Sequence, residues 1–151
     1  MAEPTQIALR GNAADPRFIA ACESVLGAAP PSVPNSVRSG IFWLGPDEWL
    51  VLGREPDDLS RLREALRGVH CAVVDVSSSR VALELSGARA VEILCSACTL
   101  DFDLRSFPAG SCAQTNIART QGLIHRRAEN EFVIFVRSSF ARYLRGWLDQ
   151  A

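Results

Sequence analysis

The sequence contains no lysine: its 16 basic residues are all arginines, set against 17 acidic ones, for a formal net charge of −1. A bias this complete reads first as genome composition, although a guanidinium also suits bidentate pairing with carboxylates better than an ammonium does. Because the two signs are interspersed, no basic stripe exists for nucleic acid or an anionic membrane, and neither is an expected partner. Apolar runs never approach the roughly 20 residues that span a bilayer, and Met1-Ala-Glu-Pro-Thr lacks a basic stretch followed by an apolar core. A soluble cytoplasmic protein is expected. The cysteines, Cys22, Cys71, Cys95, Cys98 and Cys112, form an odd set without the density of a secreted disulfide scaffold, so reduced thiols are expected. No glycine-rich phosphate loop, dinucleotide fingerprint or Gly-x-Ser-x-Gly elbow occurs, and a flavin or nicotinamide site within this chain is therefore not expected.

At 151 residues and 48% hydrophobic composition, the chain can bury a substantial core in one unit, 1–151, with possible lobes 1–70 and 71–151. Asp15-Pro16 signals a helix start, Phe18, Cys22, Val25 and Leu26 share one helical face, and Gly27 supplies the stop. Pro30, Pro31 and Pro34 make a connector. Val37 to Leu44 and Trp49 to Gly53 then read as a hairpin turning at Gly45-Pro46-Asp47-Glu48. Pro56-Asp57-Asp58 opens a second helix with Leu59, Leu62 and Leu66 as its apolar stripe, closed by Arg67-Gly68.

Ala72 to Val76 and Val81 to Leu85 are expected to form the next pair of strands. Ser86 can cap a third helix, on which Val91, Leu94, Cys95 and Cys98 recur at helical spacing. A loop from Thr99 to Gly110 precedes three strands, Cys112 to Ala118, Leu123 to Arg126 and Phe132 to Val136. A last helix starts near Ser138, with Phe140, Leu144, Trp147 and Leu148 on one face. Hairpins interleaved with single helices imply an α+β fold, with antiparallel sheets and helices packed on one side.

Candidate chemistry is sparse. Cys95-Ser96-Ala97-Cys98 is a CxxC, but it falls near a helix end, where the dipole disfavours a thiolate, and no second pair or histidine completes a metal site. Both are expected in the core. His70 and His125 stand apart from any nucleophile pattern. Asp101 and Asp103 could present paired carboxylates, although a turn with its acids in solvent is the expectation. Trp43 and Trp49 flank the first hairpin turn and are either core residues or anchors for a partner. Catalytic, cofactor-binding and metal residues are all assigned as none.

Trp43-Leu44-Gly45-Pro46-Asp47-Glu48-Trp49-Leu50 resembles the hallmark hairpin of the gamma subunits of heterotetrameric sarcosine oxidase. Val74-Asp75-Val76-Ser77 and the run from Arg80 to Ala90 resemble both that family and the folate-binding fold of the glycine-cleavage T-protein. Cys98-Thr99-Leu100-Asp101, Phe107-Pro108-Ala109-Gly110, Cys112-Ala113-Gln114-Thr115 and Arg137-Ser138-Ser139-Phe140-Ala141 are further matches. In one departure, Ser77-Ser78-Ser79-Arg80 replaces the Ser-His or Ser-Asp pair common among relatives.

The resemblance implies a non-catalytic subunit of an alpha, beta, gamma, delta assembly that oxidatively demethylates sarcosine or a related N-methyl amino acid. FAD, FMN, NAD, tetrahydrofolate and zinc would sit on the other chains, and the gamma subunit would pack chiefly against alpha. Which N-methyl amino acid is oxidised, and whether by an oxidase or a dehydrogenase, is left open. Two other readings are carried: a free-standing folate-binding one-carbon protein, which the resemblance of the segment from Asp75 to Leu94 to the glycine-cleavage T-protein implies, and a thiol redox or metal protein built on Cys95 and Cys98.

Overall fold

In the computed structural model, residues 3–151 are described. The order of elements is β1 (Gln6–Gly11), α1 (Pro16–Leu26), β2 (Val37–Arg38), β3 (Ile41–Gly45), β4 (Glu48–Leu52), α2 (Asp58–Ala65), β5 (Cys71–Asp75), β6 (Arg80–Ser86), α3 (Ala90–Ala97), β7 (Cys112–Ile117), β8 (Thr120–Ala128), β9 (Glu131–Arg137), a short 3-10 turn (Ser138–Phe140) and α4 (Ala141–Gln150). Two antiparallel sheets with accompanying helices give the expected α+β class.

Contacts divide the chain at Ser77/Ser78 rather than at residue 70. The reason is strand pairing. β5 lies antiparallel to β1, from Ile7 opposite Asp75 to Gly11 opposite Cys71, which commits it to the first sheet. β6 pairs instead with β9. The two strands expected to pair with each other thus belong to different sheets.

The first unit's sheet has the order β2-β3-β4-β1-β5. One of its interior members, β1, which lies between β4 and β5, has no counterpart among the elements read from the sequence. Ile7 and Leu9 project from it onto one face, opposite Val51 and Trp49 of β4, and all four are buried. Phe18, Cys22 and Leu26 of α1 and Leu62 with Leu66 at the end of α2 complete that core. The start of α1 is as expected: the Asp15 side chain accepts from the Arg17 N–H, and Gly27 takes the left-handed cap at φ 79°. At the start of α2, Asp58 is buried and turns back to accept from the backbone N–H groups of Arg54 and Glu55 at 2.8 and 3.0 Å.

The hairpin read as one reversal contains two. β2 and β3 are joined by Ser39 and Gly40, both at positive φ, 51° and 75°, as a tight primed turn requires. Gly45, in contrast, does not have positive φ, so the Pro46-Asp47 turn does not depend on glycine's conformational freedom there.

The second unit's sheet has the order β6-β9-β8-β7. Phe132, Ile134 and Val136 of β9, Ile124 of β8 and Ile117 of β7 pack with Ala90 and Leu94 of α3, Leu144 of α4, and Phe102 and Phe107 from the loop between α3 and β7. Helix α3 starts later than expected. Ser86 ends β6 and the cap position falls to Arg89; packing against the sheet buries Ala90, Leu94 and Ala97, a face rotated from the one expected. Ser138 opens the 3-10 turn that leads into α4, where the last helix is expected to start. Its hydroxyl donates to the Ser78 carbonyl at 2.7 Å and its N–H to the Ser79 carbonyl at 3.1 Å, so it ties the end of β9 to the start of β6.

Candidate functional site

The rotation of α3 decides the fate of the CxxC. Cys95 is exposed, which corrects the expectation that both cysteines lie in the core, whereas Cys98, at the C-cap, is partly buried and its thiol is pushed up by desolvation. The fully covered cysteines are Cys22 and Cys112, and burial drives the Cys22 thiol to about 12. Among the described residues no group of three or more His, Cys, Asp or Glu side chains is placed to hold a metal ion.

His70 is exposed. His125, on β8, is largely buried, and its pKa is lowered to about 4 by desolvation first and by the Arg127 charge second. It is therefore neutral at neutral pH.

The serine and aspartate groups serve the backbone. The Ser77 hydroxyl donates to Asp75 Oδ1 at 2.6 Å and accepts from the Gln6 N–H at 2.9 Å, which fastens the end of β5 to β1. The Ser77 hydroxyl first, and the Ser77 backbone N–H donating to the same oxygen at 2.9 Å second, hold the Asp75 carboxyl below its ordinary range. Asp101 and Asp103 do not converge. The Asp101 Oδ1 accepts from the Asp103 N–H at 3.0 Å, and the Asp103 Oδ1 accepts from the Arg105 N–H at 2.9 Å, so each acid closes a turn of its own loop.

That loop is held by a residue the sequence did not single out. Arg126 of β8 is 2% exposed and carries no carboxylate partner among the described residues. Its Nη1 donates to the carbonyls of Phe102 and Phe107 at 2.8 and 2.6 Å, and its Nε and Nη2 donate to the Glu129 carbonyl at 3.1 and 2.8 Å. A planar cation with five donors can serve three carbonyls at once, and here it does.

Trp43 and Trp49 are direct cross-strand partners of β3 and β4. Trp49 takes the core reading: it is 1% exposed, tilts against Phe18 with centroids 5.7 Å apart, and donates its indole N–H to the Pro31 carbonyl at 2.9 Å. The proline connector is thereby pinned to the sheet. Trp43 is partly buried at the edge of the same cluster.

A polar depression of about 500 Å³ lies at one end of the second sheet, bordered by Arg80, Arg137, Gln114, Asn116 and Gln121, with Leu123 and Phe135 at its floor. Two smaller recesses adjoin it and share Arg137, one reaching Ser139 and the other Arg119 and Phe140. No local motif marks this surface, because its residues come from β6, β7, β8 and β9 and meet only through strand pairing.

The chain is similar to known proteins along nearly its whole length. The family described as sarcosine oxidase, gamma subunit family, matches residues 10–151. Sarcosine oxidase subunit gamma of Corynebacterium sp. (strain P-1) is 33% identical over 152 residues, covering 97% of this chain and 75% of that protein. The subunit of the same name from an Arthrobacter species is 32% identical over 138 residues, covering 87% and 68%. Among solved structures, a chain of the heterotetrameric sarcosine oxidase of Corynebacterium sp. U-96, in complex with pyrrole 2-carboxylate, superposes with a TM-score of 0.89 at 30% identity, covering 98% of this chain and 78% of that one. The glycine cleavage system aminomethyltransferase T of Bartonella henselae gives a TM-score of 0.70 at 18% identity; the match spans 95% of this chain but only 42% of that protein and carries the fold alone.

Proposed function

This chain belongs to the sarcosine oxidase gamma subunit family, and we propose that it is a non-catalytic structural subunit of a heterotetrameric flavoenzyme complex that oxidatively demethylates sarcosine or a related N-methyl amino acid. The observation that carries the reading is the superposition, at 30% identity over 98% of this chain, on a chain of a heterotetrameric sarcosine oxidase. The geometry supports the same reading. Among the described residues, Asp75, Ser77, Asp101, Asp103, Arg126 and Ser138 serve turns, strand ends and loop anchoring.

On this reading, FAD, FMN, NAD, tetrahydrofolate and zinc are carried by the alpha, beta and delta subunits, with alpha the main contact of this chain. Trp43, half-covered beside a buried Trp49, is the aromatic we assign to a partner interface. No helix among the described residues is long and apolar enough to cross a membrane, which agrees with a cytoplasmic site for the complex.

The test is co-expression with the other subunits. The chain should co-purify with them in fixed proportion, while the chain alone should be colourless and should not turn over sarcosine. Stoichiometric flavin or turnover in the isolated chain would overturn the non-catalytic assignment. Saturable tetrahydrofolate binding by the isolated chain would favour instead a free-standing folate-binding protein.

A further inference from the structure

We propose that the outer edge of β6 takes up an extended segment of a partner subunit as an added strand; the proposal rests on the assembly reading above and names an edge at which that assembly closes. The two units repeat one topology. In the first, β1 is followed by α1, by β2, β3 and β4, by α2 and by β5, and the sheet order is β2-β3-β4-β1-β5. In the second, β6 is followed by α3, by β7, β8 and β9 and by α4, and the order read from the β7 edge is β7-β8-β9-β6. The orders coincide strand for strand, except that no strand among the described residues lies beside β6 where β5 lies beside β1.

Burial records the difference. Ile7 and Leu9 of β1, flanked on both sides, are fully buried, and Cys71 and Val73 of β5 pack against the same core. Leu83 and Leu85 of β6 pack against the second core and Val81 shares their side of the strand, yet all three stay only partly buried. The backbone agrees. Gly87 donates its N–H to the Asn130 carbonyl and Ser138 its N–H to the Ser79 carbonyl, which sets the phase of the ladder between β6 and β9. Val81, Leu83 and Leu85 therefore turn their N–H and C=O groups to β9, while Ala82, Glu84 and Ser86, all exposed, turn theirs outward. β6 pairs through all seven residues without a register shift and contains no proline, so its edge is a regular template. The outer edge of the first sheet is blunted instead, since Arg63 donates through Nε and Nη2 to the Val73 carbonyl at 3.2 and 3.1 Å.

The edge and the repeat fix the class of occupant. Donors and acceptors at the two-residue spacing of Ala82, Glu84 and Ser86 are matched by another extended backbone. By analogy with β5, a strand of five residues antiparallel to β1, the segment runs antiparallel to β6. Its alternate side chains are apolar, to cover Leu83 and Leu85, and those between are polar, beside the ion pair of Glu84 and Arg127 on the other face. A second copy of this chain meeting edge to edge fits less well. Seven residues at ~3.4 Å each make an edge ~24 Å long, and at a sheet thickness of ~10 Å two such edges bury only ~500 Å². A stable interface needs ~1,200 Å² or more, so the segment belongs to a larger subunit that is held to this chain elsewhere as well.

The experiment compares the full chain alone with the chain assembled with the other subunits of its complex. Backbone hydrogen exchange at Ala82, Glu84 and Ser86 should be fast in the free chain and about 100-fold slower in the complex. Ala82→Pro removes one outward donor and spares the ladder to β9, because an edge strand tolerates proline where its N–H faces solvent. It should weaken assembly by about 10-fold or more, whereas Ala82→Ser, which keeps the donor, should assemble as the wild type does. The free Ala82→Pro chain should melt close to the wild type; if it fails to fold, the exchange comparison on the wild type decides. Equal exchange in the free chain and the complex, or wild-type assembly by Ala82→Pro, overturns the strand addition and leaves the subunit reading standing. Slow exchange already in the free chain, whether monomer or dimer, shows an edge closed without a partner subunit and overturns it too. A wild-type chain that assembles with none of the subunits overturns both.

Discussion

The guanidinium of Arg126 lies 5.1 Å from the centre of the Phe132 ring, its direct partner across β8 and β9. The ring is itself met edge-on by Phe102 with centroids 5.8 Å apart. One cation thus stacks on the sheet's aromatic and, through the Phe102 and Phe107 carbonyls, draws the loop down over it.

Replacing Arg126 with Met keeps an apolar stem but leaves the Phe102 and Phe107 carbonyls without donors in a buried site and frees the Glu129 carbonyl at its edge. The expected loss is roughly 3–5 kcal/mol, with Lys recovering little because an ammonium cannot reach all three. Denaturant unfolding measures the loss, and limited proteolysis should show earlier cleavage around Asp103 to Ser106. A Met variant that unfolds with the wild type would mean that the loop is held by its phenylalanines alone.

The tryptophans separate by readout. Trp49→Ala should cost roughly 3–5 kcal/mol of stability in the isolated chain, since it empties a core site and releases the Pro31 carbonyl. Trp43→Ala should leave melting nearly unchanged and weaken assembly with the other subunits of the proposed complex by about 2 kcal/mol, as for an interfacial aromatic. If Trp43→Ala instead lowers melting and spares assembly, its ring is structural.

The two glycines of the hairpin region make a matched pair. Gly40→Val should lower stability by about 1–2 kcal/mol or more, because φ is 75° and a Cβ would lie 3.3 Å from the Leu52 carbonyl oxygen. Gly45→Ala should fall within about 0.5 kcal/mol of wild type, since the nearest atom to its Cβ is 3.8 Å away. Comparable damage from both would show that the turn at Pro46 is also conformationally demanding.

Acidification tests His125. Its folded pKa, about 4, lies below the ordinary 6.5, so the unfolded chain takes up this proton first and stability falls as pH drops through the interval between them. Above about 6.5 the group has no effect, and below about 4 it adds no further loss. The loss across the window should be roughly 1–2 kcal/mol, the full linkage value being reduced by the ring's remaining exposure. The depressed carboxylates Asp15, Asp75, Asp101 and Asp103 titrate below this window. His125→Gln should flatten unfolding free energy between pH 6.5 and 4; an unchanged slope would assign the effect to other groups.

Much of the fold was legible because it is written in short-range pattern. Asp15-Pro16 and Gly27 bound α1, and the spacing of Leu59, Leu62 and Leu66 marks α2, since caps and stripes need only neighbours a few residues away. The family blocks, being strings of local sequence, were legible in the same way. β1 was not, although Ile7 and Leu9 alternate with Ala8 and Arg10, for a strand of six residues at the start of a chain gains its standing only from the partners it inserts between.

What tertiary structure alone decided is which residues meet. Whether β5 and β6 share a sheet, whether Cys95 faces the core or solvent, and which of two cross-strand tryptophans is covered all depend on contacts between distant segments. A one-residue rotation of a helix or a change of strand partner reverses each outcome with no change in local pattern. The burial of Arg126 and the opposition of Arg80 to Arg137 belong to the same class. A lone arginine in a strand looks alike whether it ends in solvent, against three carbonyls or across from another cation, and only the pairing of β6, β8 and β9 settled which.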